Sequence, residues 1–312
     1  MTLRARIGSV TSEAPSINSY ALWPVDCDVL PPFTAGAHVD LILGNGLVRS
    51  YSLTNSQDER HRYVIAVQQD RNSRGGSKWI HENVRVGDVI TLDGPRNNFG
   101  LNEGAQKSLL IAGGIGITPF LSMIERLDAL KRDWELIYCA RDRARAAFFS
   151  ALEARAFVRV NLDEEPGGTA LDIATIVRSA SEDTHLYCCG PVPMLEAFES
   201  ATKDVARDRV HLEYFSAKEA PSREREFTVV LHRSGRELSV PAGKTILEVL
   251  REHGIEAAYS CTEGMCGTCE TAVIGGIPDH RDAVLTEMER ASNKTIMICC
   301  SGSKTEKLVL DI

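Results

Sequence analysis

The sequence predicts a multidomain protein: an antiparallel β-barrel over residues 1–102, an α/β parallel-sheet domain over 103–216, a linker at 217–225 and an α+β domain over 226–312. Three observations predict it. Short strands separated by Gly, Pro, Asn and Asp fill roughly the first hundred residues, as in a small closed sheet. From Ser108 onward short apolar strands alternate with helical patterns, which argues a parallel sheet. Near the C-terminus Cys261, Cys266 and Cys269 share one loop, and Cys299 follows after 29 intervening residues. A chain of 312 residues is long for a single core, so division into domains is expected.

The elements follow in order. Strands are expected at Leu3–Val10, His38–Leu43, Arg49–Thr54, Tyr63–Gln68 and Asp88–Leu92, with a short helix starting at Gly75-Gly76-Ser77. In the second domain the strands are Ser108–Ala112, Trp134–Ala140, Val158–Leu162 and His185–Gly190. Helical patterns cover Pro119 to about Leu130, Ala146–Ala156, Leu171–Val177 and Pro191–Thr202. Ala217–Arg225 is polar, contains Pro221 and lacks apolar periodicity, as a linker does. Phe227–Leu231 and Glu237–Val240 form a hairpin, and Thr245 caps a helix to Arg251.

Composition excludes several classes. The chain is 43% hydrophobic and 25% charged, ordinary for a globular protein. Its net charge of −8 gives nucleic-acid binding no electrostatic support. No stretch approaches the roughly 20 continuous apolar residues of a membrane span. The N-terminal residues carry no apolar signal region, so a cytoplasmic location without membrane contact is the expectation. Nine cysteines, an odd number, suit reduced thiols serving a cofactor better than a disulfide framework.

The cysteine spacing carries the sharpest chemistry. C-x4-C-x2-C with a distant fourth cysteine is the plant-type pattern for a [2Fe–2S] cluster. Four thiolates must converge on two irons. A tight loop supplies Cys261, Cys266 and Cys269, and a distant strand end supplies Cys299. Gly264 and Gly267 let backbone amides turn inward toward sulfur. A zinc knuckle or a run of buried thiols would suit the C-x2-C pair alone, but not the full spacing. The site therefore points to one-electron transfer.

Two further seats stand on glycine turns. Gly113-Gly114-Ile115-Gly116-Ile117-Thr118-Pro119 joins a strand to a helix, where amides and the helix dipole attract phosphate. Pro119 suits the first helical turn. The same turn also suits a βα connection with no ligand. Tyr187-Cys188-Cys189-Gly190-Pro191-Val192-Pro193-Met194 is a second such junction, and its two cysteines equally suit a buried apolar role. Arg141, Asp142, Arg143 and Arg145 follow the strand ending at Ala140; one or two can contact an adenine ribose or phosphate, the rest forming a solvated charge cluster. In the first domain Arg49, Tyr51 and Leu53 share one strand face, with Ser50 and Ser52 on the other. Gly75-Gly76-Ser77 at a helix start is an anion site that Arg49 can complete, and Tyr51 can pack on an aromatic ring. A hydride donor cannot feed a one-electron cluster directly, so a flavin between them is chemically required.

With these pieces in order, the chain resembles the phthalate dioxygenase reductase family, with vanillate O-demethylase reductases as close relatives. The segments that carry the resemblance are Arg49-Ser-Tyr-Ser-Leu, Arg74-Gly-Gly-Ser, Gly94-Pro-Arg-Asn-Asn-Phe, Ala112-Gly-Gly-Ile-Gly-Ile-Thr-Pro, Tyr187-Cys-Cys-Gly-Pro, Asp279-His-Arg-Asp and Leu308-Val-Leu-Asp. The resemblance implies an FMN barrel, an NAD domain and a β-grasp-like plant-type ferredoxin, in that order. It implies FMN rather than FAD, NADH as donor and a Rieske-type aromatic oxygenase as acceptor. It places Arg49, Ser50, Tyr51 and Ser52 on the flavin, with Val67 and Gln68 lining it and Gly75, Gly76 and Ser77 on its phosphate. Gly113, Gly114, Gly116, Thr118, Pro119, Arg141, Asp142, Cys189, Gly190, Pro191 and Met194 would hold the dinucleotide. Ser52, Thr118, Cys189 and Phe215 would lie where nicotinamide meets flavin, Phe215 covering the ring until nicotinamide arrives. One departure is the pair Cys299-Cys300, where the family shows one cysteine followed by an apolar residue. Spacing favours Cys299 as ligand, with Cys300 pointing the other way off the strand. Two rival readings are a flavin or quinone reductase with a small-molecule acceptor and a zinc-bound, non-catalytic interaction module.

Overall fold

The computed structural model describes residues 2–70, 75–215 and 225–312. Arg74 of the Arg-Gly-Gly-Ser segment and residues 217–224 of the expected linker lie outside them. The chain divides into two compact units, Met1–Phe215 and Ser216–Ile312. Among the described residues no helix is long and apolar enough to cross a membrane.

The first unit begins with β1 (Thr2–Ala14), β2 (Ile17–Pro24), β3 (His38–Ile42), β4 (Val48–Ser52), β5 (Tyr63–Gln68), α1 (Gly76–Asn83) and β6 (Val89–Arg96). The six strands form one antiparallel sheet in the order β4-β3-β6-β1-β2-β5. A backbone bridge between Leu53 and Ile65 links the chain just beyond β4 to β5, the two ends of that order. Inward side chains such as Ile7, Leu22, Leu41, Leu53, Tyr63 and Ile65 make its core. Strand β2 was not expected. Its neighbour β1 shifts register between Ile7 and Ser9 and again between Ser12 and Ala14, which breaks the period-2 signal. Within β2 itself Ser19, Tyr20, Ala21 and Leu22 are all buried, so no alternation marks it.

The same unit continues with β7 (Lys107–Gly113), α2 (Thr118–Leu130), β8 (Asp133–Ala140), α3 (Phe149–Leu152), β9 (Val158–Leu162), α4 (Ile173–Ser179), β10 (Thr184–Cys189), α5 (Val192–Ala201) and β11 (Val210–Glu213). All strand pairs are parallel, in the order β11-β10-β7-β8-β9. The winding therefore reverses between β7 and β10. A crevice opens at the carboxyl ends of strands at such a reversal, where ligands bind in open α/β sheets. Two expectations change. The helix expected over 146–156 is only the four-residue α3, because Phe148 takes a left-handed backbone (φ 59) that starts it late. Strand β11, four residues at the sheet edge, is too short to carry a pattern.

The second unit contains β12 (Phe227–Leu231), β13 (Glu237–Val240), α6 (Ile246–Glu252), β14 (Glu270–Gly275), β15 (Pro278–Asp279), α7 (Glu287–Ser292), β16 (Thr295–Met297), β17 (Gly302–Ser303) and β18 (Lys307–Leu310). A mixed sheet runs β13-β12-β18-β14-β16, and β15 pairs with β17. Thr245 caps helix α6 as foreseen, and the cap is a capping box: its hydroxyl accepts from the Glu248 amide while Glu248 accepts from the Thr245 amide. Its apolar face, Ile246, Leu247, Val249 and Leu250, packs in the core of this unit.

Candidate functional site

The cysteine loop sits between α6 and β14, and its fourth partner arrives by strand pairing. Strands β14 and β16 run antiparallel with Glu270 opposite Met297, which brings Cys269, just before β14, beside the chain leaving β16. The Ile298 amide donates to the Cys269 carbonyl at 3.4 Å. Cys261, Cys266, Cys269 and Cys299 are all buried. The sulfurs form two interacting pairs, Cys261 with Cys266 and Cys269 with Cys299. Among the described residues no three His, Cys, Asp or Glu side chains are grouped around a single ion; two pairs suit two irons.

Local polarity fits that charge. Amides of Glu263 and Met265 donate to Cys261 Sγ at 3.4 Å, and the Gly264 amide donates to Cys299 Sγ at 3.2 Å. The Gly264 turn requires a positive φ of 70°. The Cys261 thiol is pushed far up by its neighbour Cys266 and by burial, and Cys269 likewise by Cys299 and burial. Sulfurs that so resist ionising together need cations to hold them as thiolates, which iron supplies.

The chain around the loop adds residues that spacing alone did not single out. Asp282 is fully buried; its Oδ2 accepts from the Val284 and Leu285 amides at 3.1 and 2.8 Å. Burial opposes its charge, but His280, these two amides and Arg290 together hold its carboxyl below the usual range. The Ala283 amide donates to the Gly264 carbonyl at 2.9 Å, tying this segment to the cysteine loop. Asp279-His-Arg-Asp entered the sequence argument only through the resemblance. Its signal is two carboxylates and a histidine between turns, which alone reads as surface.

Cys300 departs from expectation. Both Cys299 and Cys300 lie past the end of β16, in a turn, so strand alternation does not separate them. A Cβ added at Gly264 would stand 2.5 Å from Cys300 Sγ. The Cys300 sulfur therefore faces the cysteine loop instead of pointing away from it.

At the parallel-sheet crevice the two glycine turns pack on each other. A Cβ at Gly116 would stand 2.2 Å from the Cys189 carbonyl oxygen, and one at Gly113 would stand 2.6 Å from Pro191 Cδ and 2.8 Å from Met194 Sδ. These glycines permit the close approach of one turn to the other. Gly114 faces open space. Gly190 is itself packed against Met194 Sδ and Gly113. The Thr118 hydroxyl donates to the Ile115 carbonyl at 3.0 Å, and Pro119 lies in the first turn of α2. At the end of β8, Asp142 accepts from the Arg145 amide at 2.9 Å and pairs with its guanidinium, while Arg141 approaches Glu164 at 3.7 Å. Pro15, Asp142, Arg143, Ala144, Arg145 and Glu165 line an open depression of about 560 Å³ there.

Cys189 is buried, and its thiol is pushed well above the ordinary value by burial, then by Glu213 and Cys188. It is a neutral group. Glu213 lies beside it in the β10–β11 register, with Oε2 buried and unpartnered among the described residues. Burial raises the Glu213 carboxyl to about 8. Sequence reading missed it because a lone Glu ending a short edge strand reads as a solvated end. A carboxyl raised from 4.5 binds a proton in the folded state that the unfolded state releases, so stability falls as pH rises from about 4.5 to 8. Glu213→Gln is expected to remove that fall, at most about 1.4 kcal/mol per pH unit. The check is the thermal midpoint of both proteins at pH 5 and 8: Gln should help at pH 8, and equal midpoints at both would refute it. Phe215, next but one in the chain, is 40% exposed.

In the antiparallel sheet, Arg49 lies over the start of α1. A Cβ at Gly76 would stand 2.5 Å from Arg49 Nε, 2.7 Å from Cγ and 3.0 Å from Cδ. Gly75 precedes the helix at φ 92°, and the Ser77 hydroxyl accepts from the Asp70 amide at 3.2 Å. Tyr51 packs on the edge of the core. Ser52 Oγ is buried with no partner among the described residues, as expected of a group awaiting a ligand. The Ser50 hydroxyl instead donates to Asp40, which pairs with Arg96. Val67 and Gln68 do not share a face: Val67 is buried in the core and Gln68 is exposed.

Fold and site together define an iron–sulfur oxidoreductase with its own nucleotide-binding domain. A family model described as the 2Fe-2S iron-sulfur cluster binding domain matches residues 229–303, and the oxidoreductase NAD-binding domain matches residues 110–200. Phenoxybenzoate dioxygenase subunit beta of Ectopseudomonas oleovorans is 52% identical over 308 residues, covering 98% of this chain and 96% of that protein. Tetrachlorobenzoquinone reductase of Sphingobium chlorophenolicum is 50% identical over 318 residues, 100% of this chain and 98% of that one. The solved structure of phthalate dioxygenase reductase superposes with a TM-score of 0.78 at 40% identity, covering 100% of this chain and 98% of its own. The chain belongs to the phthalate dioxygenase reductase family, the reductases of aromatic oxygenase systems. It is an NADH-dependent oxidoreductase whose cofactors are FMN and a [2Fe–2S] cluster.

Proposed function

We propose that the protein takes hydride from NADH onto FMN and delivers single electrons through its [2Fe–2S] cluster to a Rieske-type aromatic oxygenase. The observation that carries this reading is the pair of thiol couples, Cys261/Cys266 and Cys269/Cys299, in one chain with a nucleotide crevice. Flavin supplies the conversion of one two-electron donation into two one-electron steps. The chain's own residues do the rest. Arg49 and the start of α1 hold a single phosphate. Ser52 Oγ donates or accepts at the flavin edge. The turns after β7 and β10 seat the dinucleotide at the winding reversal, and Thr118, neutral Cys189 and Phe215 bound the nicotinamide. Arg141 and Asp142 take the adenine ribose, although Asp142 is shared with Arg145. In this reading the six-stranded sheet closes as a barrel through the Leu53–Ile65 bridge, and the second unit is a β-grasp ferredoxin.

A second reading has support of its own: the tetrachlorobenzoquinone reductase relative suggests a quinone as acceptor. The two separate by turnover with NADH and either a purified phthalate-type oxygenase component or tetrachlorobenzoquinone. Faster electron delivery to the oxygenase is expected, and turnover with quinone alone would overturn the oxygenase reading. From Glu224 onward 14 Asp and Glu face 10 Lys and Arg. Glu263 sits half-buried in the cysteine loop and Glu270 is exposed beside it. Such an acidic rim would steer a basic docking patch. Oxygenase reduction is therefore expected to slow severalfold as salt rises past ~0.1 M, where the Debye length is ~10 Å. A rate flat across ionic strength would assign docking to apolar contacts.

A further inference from the structure

His38 opens β3, and the reaction described above leaves it unused. It is 5% exposed, and its Nε2 is buried with no partner among the described residues. Ser52, which ends β4, is likewise 5% exposed with Oγ unpartnered. The sheet sets these two residues side by side. In the β3–β4 register His38 stands opposite Ser52, and Asp40 stands opposite Ser50. The Leu53 amide donates to the Ala37 carbonyl and the Leu43 amide to the Leu47 carbonyl, both at 2.8 Å. Alternation from those pairs makes His38/Ser52 and Asp40/Ser50 non-hydrogen-bonded pairs of the ladder, whose Cα atoms approach to about 4.5 Å with both side chains on one face. Asp40 and Ser50 show what that spacing does: the Ser50 hydroxyl donates to Asp40 across the strands. His38 and Ser52 repeat the arrangement two residues along, with an imidazole in place of the carboxylate. On its other side His38 faces Arg96 of β6, whose terminal nitrogens pair with Asp40 and Asp93. Burial, then Arg96, pushes the His38 imidazole down to about 4, so it is neutral at ordinary pH.

We propose that His38 is the positioning residue for Ser52: Nε2 bonds the Ser52 hydroxyl and fixes the direction in which that hydroxyl meets the flavin. The proposal rests on Ser52 being a flavin contact. A serine hydroxyl carries one proton and turns about its Cβ–Oγ bond. The flavin edge gives it one partner, and His38 gives it the complementary one. A neutral imidazole nitrogen either donates or accepts, so Nε2 takes whichever role Ser52 does not take toward the flavin. The bond satisfies two buried polar atoms at once, each of which costs free energy alone. It does so without adding a charge beside the ring.

His38→Phe, His38→Leu and His38→Gln test this, each in the full-length parent chain and in Ser52→Ala. Phenylalanine and leucine remove the nitrogen with different shapes, so one serves if the other does not fold. Glutamine supplies both a donor and an acceptor. The measurement is the FMN dissociation constant by flavin fluorescence, with the thermal midpoint of the FMN-free protein as the control for folding. His38→Phe and His38→Leu are expected to weaken FMN binding about fivefold, as for the loss of one hydrogen bond. His38→Gln should recover most of that affinity. In Ser52→Ala the same His38 substitutions should change affinity by less than about twofold, as for residues acting through one interaction. Parent-like affinity in His38→Phe and His38→Leu would overturn the proposal. Equal losses in all three variants would also overturn it, since shape and not bonding would be the cause. An undiminished loss in the Ser52→Ala background would do the same, because His38 would then act apart from Ser52. If Ser52→Ala alone binds FMN as the parent does, Ser52 is no flavin contact, and that part of the proposed function falls together with the role of His38.

Discussion

Cys299→Ser is expected to lose the [2Fe–2S] chromophore, while NADH still bleaches the flavin. Cys299 pairs with Cys269 across the ends of β14 and β16 and accepts the Gly264 amide at 3.2 Å. Serine shortens the reach to iron and replaces a thiolate with a hydroxyl that stays protonated at neutral pH. The buried site then holds three sulfurs that resist ionising together, with one iron short of a ligand. Cluster ligation is folding energy for the loop that makes it, so partial ligation leaves the loop loose. Hydride transfer needs only the first unit, where the flavin and dinucleotide sites lie. Iron, sulfide and flavin analysis, followed by anaerobic NADH addition, reads both halves. The expected result is near-stoichiometric flavin, little iron and rapid flavin bleaching. A Cys299→Ser protein with full iron content would shift the ligand to Cys300. Simultaneous loss of flavin would mean that the two units do not fold separately.

How far the sequence reached depends on whether a feature is local. The cysteine loop was legible because cluster chemistry fixes a spacing that no ordinary core imitates. The two glycine turns were legible as strand-to-helix junctions, yet not for the full reason. Spacing suggested amides approaching phosphate, whereas Gly113 and Gly116 are also demanded by packing against Cys189, Pro191 and Met194 on the neighbouring turn. That contact joins residues some seventy positions apart, and no local pattern reports it. The same limit hid β2, whose partner β1 is bulged, and Glu213, which the β10–β11 pairing sets beside Cys189. Cys300 was misplaced by assuming that β16 continued through it. The strand ends at Met297, and period-2 reasoning fails as soon as the chain turns. Arg49 lies against the start of α1, and both halves of that contact carry residue types with one obvious joint use.

That contact sets the second large effect. Arg49→Ala is expected to weaken FMN retention by roughly 1.5–3 kcal/mol, the range for a charge-assisted hydrogen bond. The structure adds a second route to the same defect. Gly76 is the first residue of α1, and a Cβ there would stand 2.5 Å from Arg49 Nε. The helical backbone tolerates alanine at that position, so Gly76→Ala leaves the fold intact but pushes the guanidinium stem aside and crowds the phosphate seat at the helix start. Both variants therefore damage one interaction, and their effects should not add. Arg49→Ala with Gly76→Ala is expected to cost little more than the worse single variant, as for residues sharing one partner. The measurement is the FMN dissociation constant of the four proteins by flavin fluorescence, with iron content as the control for folding. Full additivity would mean that Gly76 acts apart from Arg49, through the helix amides alone. Unchanged affinity in Arg49→Ala would remove the phosphate from this seat, and stoichiometric FAD in the native protein would contradict the single-phosphate site on which the argument stands.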